Sequence, residues 1–371
     1  MNPNELSPHY IRAIAPYQPG KPIGELAREM GLDEADIVKL ASNENPLGIG
    51  PLARAAIARA VDELALYPDG NGFDLKAALS RKLGIGTDRI VLGNGSNDVL
   101  DMVARAFLAP GTSSVYSRHA FAVYALATQA AGAIGIEAPA RDFGHDLSAM
   151  QARVQRHTRV VWIANPNNPT GTLLDNGQLH AALQDFARTD AVVVLDEAYV
   201  EYMEPNRRAP SLAWLAEFSN LIVCRTFSKA YGLAGLRVGY AACAPELADL
   251  LNRVRQPFNV NSLALSAATA ALDDLEFLAE TKRINDSGMI QLTEGFDSLG
   301  LEWIPSAGNF VAVRVDPQGD AMAIFQALLR KGVIVRPVGN YAMPGYLRVS
   351  VGLPEQNARF LAALGEILGA R

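Results

Sequence analysis

Cysteine is almost absent from this chain of 371 residues, which holds only Cys224 and Cys243. Both lie in apolar runs, where buried free thiols are expected rather than a disulfide or a metal pair. Long apolar stretches are missing too, and nothing approaches the roughly 18 uninterrupted apolar residues of a membrane span. The opening MNPNELSPHYIRAIAPYQPG has no basic region leading into an apolar core, so no secretory leader is expected. Positive charge is not in excess. A net charge of −6 and a pI near 5.5 argue against a nucleic-acid or anionic-membrane partner, while leaving room for a local basic site. The five histidines (His9, His119, His145, His157 and His180) show no zinc-binding spacing, and no metal site is expected. Neither a low-complexity tract nor an internal repeat is visible. A cytoplasmic protein fits these absences.

What is present suffices for a sizeable core, since 49% of the residues are hydrophobic. This length suggests roughly two domains. Residues 1–40, with proline-bearing turns at residues 16–20 and 21–22, read as an arm. After the loop LASNENPLGIG (Leu40–Gly50), helical periodicity appears at Pro51–Leu64, with Pro51 suited to a first helical turn. Short apolar runs then recur at Ile90–Leu92, Ser114–Tyr116, Gly135–Glu137, Val160–Ala164, Ala191–Leu195, Leu221–Cys224 and Val238–Ala242. Amphipathic segments separate most of them, at Ser96–Leu108, Ala120–Ala131, Leu147–Arg156 and Asn176–Thr189. Strands alternating with helices imply an α/β fold with a mainly parallel seven-stranded sheet sandwiched by helices. Only about a dozen residues separate the last two strands, marginal for a parallel crossover, so the last is expected to be antiparallel. Beyond Pro245 helices dominate, leading to strands at Asn309–Val315, Val333–Arg336 and Leu347–Val351. This pattern suggests a smaller α+β domain. The expected division is an arm at 1–40, a large domain at 41–260 and a small domain at 261–371.

Four loops that follow predicted strands carry chemistry, because ligands of α/β proteins bind at strand ends. Gly93-Asn94-Gly95-Ser96-Asn97-Asp98 opens a helix, and a helix N-terminus attracts anions. Asp98 stands where a dinucleotide fingerprint needs its third glycine, and Ser96 lacks the glycine pattern of a nucleophile elbow. Two prolines and a glycine stiffen Asn165–Gly171 and can aim the Asn168 amide inward. Asp196-Glu197-Ala198-Tyr199 sets a carboxylate at a strand end. In LIVCRTFSKAYGLAGLRVG (Leu221–Gly239), Lys229 follows a strand beside Ser228 and Arg237. A lysine amine there can bond an aldehyde, with Ser228 and Arg237 holding an adjacent anion. Each loop alone also reads as a helix cap, a tight turn or a solvated lysine. Their order along the chain points further.

Asn168-Pro169-Thr170-Gly171, Asp196-Glu197-Ala198-Tyr199 and Ser228–Arg237 resemble the motifs of the fold-type I, class I/II aminotransferases, which use pyridoxal 5′-phosphate. Residues 15–22, Ser42–Gly48 and Leu66–Gly70 match one subfamily of them, so the resemblance spans nearly the whole chain. It implies that Lys229 bonds the cofactor and shuttles a proton between the substrate Cα and the cofactor C4′. Asp196 would bind the ring nitrogen, keeping the ring an electron sink, while Tyr199 and Asn168 would contact the ring hydroxyl. Gly95, Ser96 and Asn97, with Thr226, Ser228 and Arg237, would hold the phosphate. Phe121 would stack on the ring, at a position where many relatives carry tyrosine. Tyr67 would reach the phosphate in a neighbouring subunit, which implies a homodimer with shared sites.

The same resemblance implies that Arg348 binds the substrate carboxylate, with Tyr17, Asn43, Asn168 and Arg336 as further substrate contacts. A phosphate monoester can occupy two arginine forks where a carboxylate takes one. Arg348 would therefore serve both half-reactions, and Arg336 the phosphate. The implied reaction moves an amino group between L-glutamate and imidazole-acetol phosphate, giving 2-oxoglutarate and L-histidinol phosphate, a phosphorylated imidazole amino alcohol of histidine biosynthesis. Transfer to aromatic amino acids is the nearest alternative, and decarboxylation of threonine phosphate a more distant one. A transcriptional regulator built on the same fold would need a DNA-binding module, for which the roughly 40 residues before the Asn43 motif are too few.

Overall fold

The computed structural model describes residues 2–17 and 20–369. Gln18 and Pro19, within the expected turn at 16–20, lie outside the described residues. All seven expected apolar runs join one sheet. Its spatial order is Ile90–Gly93, Gly239–Cys243, Leu221–Thr226, Val192–Asp196, Thr158–Ala164, Ser113–Ser117 and Ile134–Ala138. Gly239–Cys243 runs antiparallel to both neighbours, as its short connection requires; the other pairings are parallel.

Successive residues along each strand face opposite sides of a sheet, and the core divides accordingly. Trp162 and Val194 pack with Leu100, Val103 and Tyr124 on one face. Ile163, Val193 and Leu195 pack with Leu179, Phe186 and Phe218 on the other. Burial on both faces is why the central strands Thr158–Ala164, Val192–Asp196, Leu221–Thr226 and Gly239–Cys243 read as largely apolar runs rather than alternating ones, whereas the edge strand Ile134–Ala138 is mostly exposed. Both cysteines are free and buried.

The second sheet is antiparallel, in the order Trp303–Ile304, Phe310–Arg314, Tyr346–Ser350, Arg336–Pro337. Phe296 from helix Leu275–Ser298 and Phe360 from helix Pro354–Leu368 pack in its core. The strand expected at Val333–Arg336 is divided. Val333–Ile334 pairs in parallel with Val38–Lys39, whereas Arg336–Pro337 pairs with Tyr346–Ser350. The chain thus changes partner at Val335, which its flanking pattern does not reveal. Packing crosses the expected division in two places: Val38 and Leu40 join the core of the smaller sheet, and helix Ser262–Ala271 packs with Ala53, Leu75 and Leu79 beside the larger one. Two helices of eight residues or more escaped the sequence reading, Ile23–Met30 and Phe73–Leu83, as did the single turns Pro3–Leu6, His9–Arg12 and Ser211–Trp214. Among the described residues, no helix is long and apolar enough to cross a membrane.

The two glycines after Lys229 differ in kind. Gly232 has φ +69°, and an added Cβ would lie 1.9 Å from the Gly48 carbonyl oxygen, so the 228–237 loop can dock on the 40–50 loop only without a side chain. Gly235 has open space around it and no such backbone. Gly232→Ala should therefore destabilise the protein by about 2 kcal/mol or more, while Gly235→Ala should change stability by less than about 0.5 kcal/mol. Urea unfolding midpoints for the two variants would check this, and equal shifts would refute it.

Candidate active site

The C-terminal ends of the parallel strands share one rim of the sheet, and all but the edge strand Ile134–Ala138 are followed by a loop that contributes to the site. Antiparallel Gly239–Cys243 starts from the same rim, so Arg237 arrives there from the opposite chain direction. One cavity is lined by Ser96, Asn97, Phe121, Asn168, Asp196, Tyr199, Thr226, Ser228, Lys229 and Arg237 from the large-sheet side, and by Tyr17, Asn43, Arg336 and Arg348 opposite. Its basic side chains are Lys229, Arg237, Arg336 and Arg348, against Asp196 as the only acid among the described lining residues. Such a cavity favours anionic ligands.

Lys229 reaches inward until its Nζ donates to the Ser42 carbonyl at 2.9 Å, 5.8 Å from the centre of the Tyr199 ring. Burial pushes its pKa down to about 7, helped by Arg348 and Arg237 and opposed by Glu44 and Asp196. A lysine that loses its proton near neutrality is a competent nucleophile and base.

Asp196 ends its strand fully inside the protein. Tyr124 Oη donates to its Oδ2 at 2.8 Å and the Ala198 N–H to its Oδ1 at 3.2 Å. Burial raises its pKa to about 6 against those two hydrogen bonds. Neither donor is cationic, so a buried positive partner at the carboxylate would settle it in the charged form. Tyr124 was not anticipated. It is fully buried, its ring stacked on Trp162 at 5.3 Å with 3° between planes. The signal lay in helical spacing, because Tyr124 is three residues after Phe121 and shares its face; the two rings meet edge-on at 5.9 Å.

An anion cradle lies at the start of helix Ser96–Phe107. Arg237 holds a left-handed backbone (φ 57°), and its Nη1 donates to Ser228 Oγ at 3.1 Å. Thr226 Oγ1 accepts from the Ser228 N–H at 3.1 Å. A Cβ on Gly95 would stand 2.3 Å from Arg237 Nη2, so only glycine lets the guanidinium lie over the helix terminus. Gly95 thus shapes the cradle from behind rather than lining the cavity.

Arg348 is buried, over the face of Phe310 at 5.3 Å. It donates to Asn168 Oδ1 at 2.5 Å and to the Ala41 carbonyl at 2.7 Å, both neutral acceptors. Its Nε is buried without a hydrogen-bond partner among the described residues. Since Arg348 occupies the Asn168 carbonyl, the Asn168 amide is left to present its N–H groups. Arg336 stands directly opposite Arg348 across the antiparallel pair and over the Tyr17 ring at 5.6 Å. Like charges in that register repel, and an anion between them relieves the strain on both.

Tyr67 is the one expected site residue far from this cavity. It is 83% exposed and stacks on Phe258 at 4.8 Å.

A family model described as aminotransferase class I and II matches residues 35–364. The chain is 62% identical over 364 residues to histidinol-phosphate aminotransferase 1 of Thiobacillus denitrificans, covering 98% of this chain and 94% of that one. It is 58% identical over 367 residues to histidinol-phosphate aminotransferase of Methylobacillus flagellatus, covering 99% and 98%. Among solved structures, histidinol-phosphate aminotransferase from Sinorhizobium meliloti in complex with pyridoxal 5′-phosphate superposes with a TM-score of 0.89, at 29% identity over 98% of this chain and 97% of that one.

Lys229 of the cofactor-free protein should reach maximal acylation by dilute acetic anhydride by about pH 8, because its amine is freed near 7, whereas ordinary lysines titrate near 10.4. Peptide mapping by mass spectrometry reads each lysine separately. Reactivity at Lys229 still climbing at about pH 10 would show an unperturbed amine.

Proposed function

The chain belongs to the class I and II aminotransferases, and we propose that it transfers the amino group of L-glutamate to imidazole-acetol phosphate, forming 2-oxoglutarate and L-histidinol phosphate. Relatives at 58–62% identity that carry the name of this activity support the reading. The observation that carries it is the register pair Arg336–Arg348, which sets two guanidinium groups side by side on one wall of the cavity.

The cavity suits pyridoxal 5′-phosphate. It offers a lysine with a depressed pKa, a buried carboxylate held by neutral donors, and a cradle whose Arg237 guanidinium a Cβ on Gly95 would displace. Lys229 would hold the aldehyde and Asp196 the ring nitrogen. Tyr199 and the Asn168 amide would meet the ring hydroxyl, with Phe121 against the ring. Ser96, Asn97, Thr226, Ser228 and Arg237 would hold the phosphate. When bound, the cofactor supplies an aldehyde that takes up the amino group and a ring that withdraws electrons from the substrate Cα.

The chain's own residues do the rest. Lys229, freed from the aldehyde when the substrate amine takes its place and neutral above about pH 7, would take the proton from the substrate Cα as a general base. Arg348 fixes that carbon by its fork on the glutamate carboxylate or on the phosphate of the second substrate. Arg336 and Tyr17 add contacts that the phosphate, with its extra charge and oxygens, can use. Leu66, Tyr67 and Phe73 are large apolar side chains left exposed, which suits packing against a second copy of the chain, with Tyr67 at the partner's phosphate in a homodimer. The enzyme would act in the cytoplasm, on small molecules alone.

Lys229→Ala should be inactive and Tyr67→Ala weakened. Mixing the two should regenerate one intact site per hybrid dimer, with activity above both parents; no rise on subunit exchange would remove Tyr67 from a shared site.

Losing a charge-assisted contact costs about 1.5–3 kcal/mol, or roughly ten- to a hundred-fold in kcat/KM. Arg336→Ala should lose that much with histidinol phosphate and far less with glutamate, and Arg336→Lys should recover only part. Equal losses with both substrates would make Arg336 a scaffold residue. Wild-type activity on phenylalanine with none on histidinol phosphate would overturn the substrate assignment.

A further inference from the structure

Strand Tyr346–Ser350 directs a second side chain toward the site. Ser350 follows Arg348 by two residues, so both lie on one face of the strand, and it is buried. Its Oγ accepts from the Asn43 backbone N–H at 2.8 Å and donates to Asn43 Oδ1 at 2.9 Å. Asn43 is itself buried in a left-handed backbone conformation (φ 54°), and its carbonyl accepts from Asn309 Nδ2 at 3.1 Å. On the cavity side, Asn43 Nδ2 donates to Tyr199 Oη at 2.9 Å.

Counting protons decides the direction of this chain. A serine hydroxyl carries one proton and two lone pairs, while an amide has an acceptor end and a donor end. With Oδ1 toward Ser350, the serine proton has an acceptor, and the amide donor meets the Tyr199 oxygen. With the amide reversed, Nδ2 would face a serine oxygen that already accepts the Asn43 N–H. The serine proton would then be buried without an acceptor, an unfavourable arrangement. Reversed Oδ1 would also claim the Tyr199 proton.

We propose that Ser350 is a positioning residue: its one proton fixes the Asn43 amide so that Tyr199 accepts from behind and keeps its own proton for an oxygen bound in the cavity. Burial pushes the Tyr199 pKa up to about 12, so the phenol remains a donor throughout the neutral range. The strand whose arginine binds the substrate anion thereby also sets which way the tyrosine donates.

The proposal rests on the aminotransferase reading, in which that oxygen is the cofactor's ring hydroxyl. A donor to the ring oxygen stabilises negative charge there and disfavours a proton at the Lys229 linkage. Weakening the donor should let that proton persist to higher pH. Visible absorbance of the protein loaded with pyridoxal 5′-phosphate reports this titration without turnover.

Ser350→Ala should raise the pH midpoint of the absorbance change by about one unit, and Ser350→Thr should restore it. In a Tyr199→Phe background, Ser350→Ala should add no further shift, because both changes act through one hydroxyl. Should the alanine variant fail to fold, Ser350→Cys, which keeps a weak donor, should move the midpoint the same way. An unchanged midpoint in the folded variant, or a shift that persists without the tyrosine hydroxyl, would overturn the role of Ser350. A wild-type protein that shows no visible absorbance with pyridoxal 5′-phosphate would instead overturn the aminotransferase reading beneath it.

Discussion

The gathering of positive charges, one buried and three half-buried, at a cavity largely shut off from water is the constraint on which this site depends. Lys229, Arg237, Arg336 and Arg348 converge on one cavity lined by a single carboxylate. Burial and the neighbouring guanidinium groups together free the lysine amine near neutrality. The same crowding leaves Arg348 with neutral acceptors for its N–H groups. Such a concentration of positive charge favours anionic ligands. A protein of net charge −6 thus sets four basic side chains against one acid in this cavity.

Holding that charge requires contacts between segments far apart in sequence. The 40–50 loop is the connector: the Ala41 carbonyl takes Arg348, the Ser42 carbonyl takes Lys229, and Asn43 joins Ser350 to Tyr199. Without regular structure of its own, it offers carbonyl groups that a helix or sheet would have used internally. Gly232 lets the lysine-bearing loop dock against Gly48 of this segment. Both sheets therefore reach the reacting groups through one stretch of irregular backbone.

Most of the fold was legible from local pattern. Seven short runs gave seven strands, the central ones because a sheet covered on both faces needs continuous apolar sequence. The antiparallel direction of Gly239–Cys243 followed from the length of its connection. The partner change at Val335 was hidden because either pairing satisfies the same short apolar run. Helix Phe73–Leu83, bounded by Gly72 and Gly84 in left-handed conformations, was legible in principle through its Leu75–Leu79 spacing.

For the site, the sequence by itself determined which groups were available. Strand-end loops carry Lys229, Asp196, Asn168 and Arg237 in a fixed order, and their chemistry follows from residue type. Only the tertiary structure decided which of these groups face one another. It brought Tyr124 onto Asp196, set Arg336 opposite Arg348 and linked Ser350 to Tyr199 through Asn43. These contacts join residues up to 307 positions apart. Local sequence encodes strands and turns through spacing and backbone preference, whereas a pKa or the direction of a hydrogen bond depends on neighbours that only folding supplies.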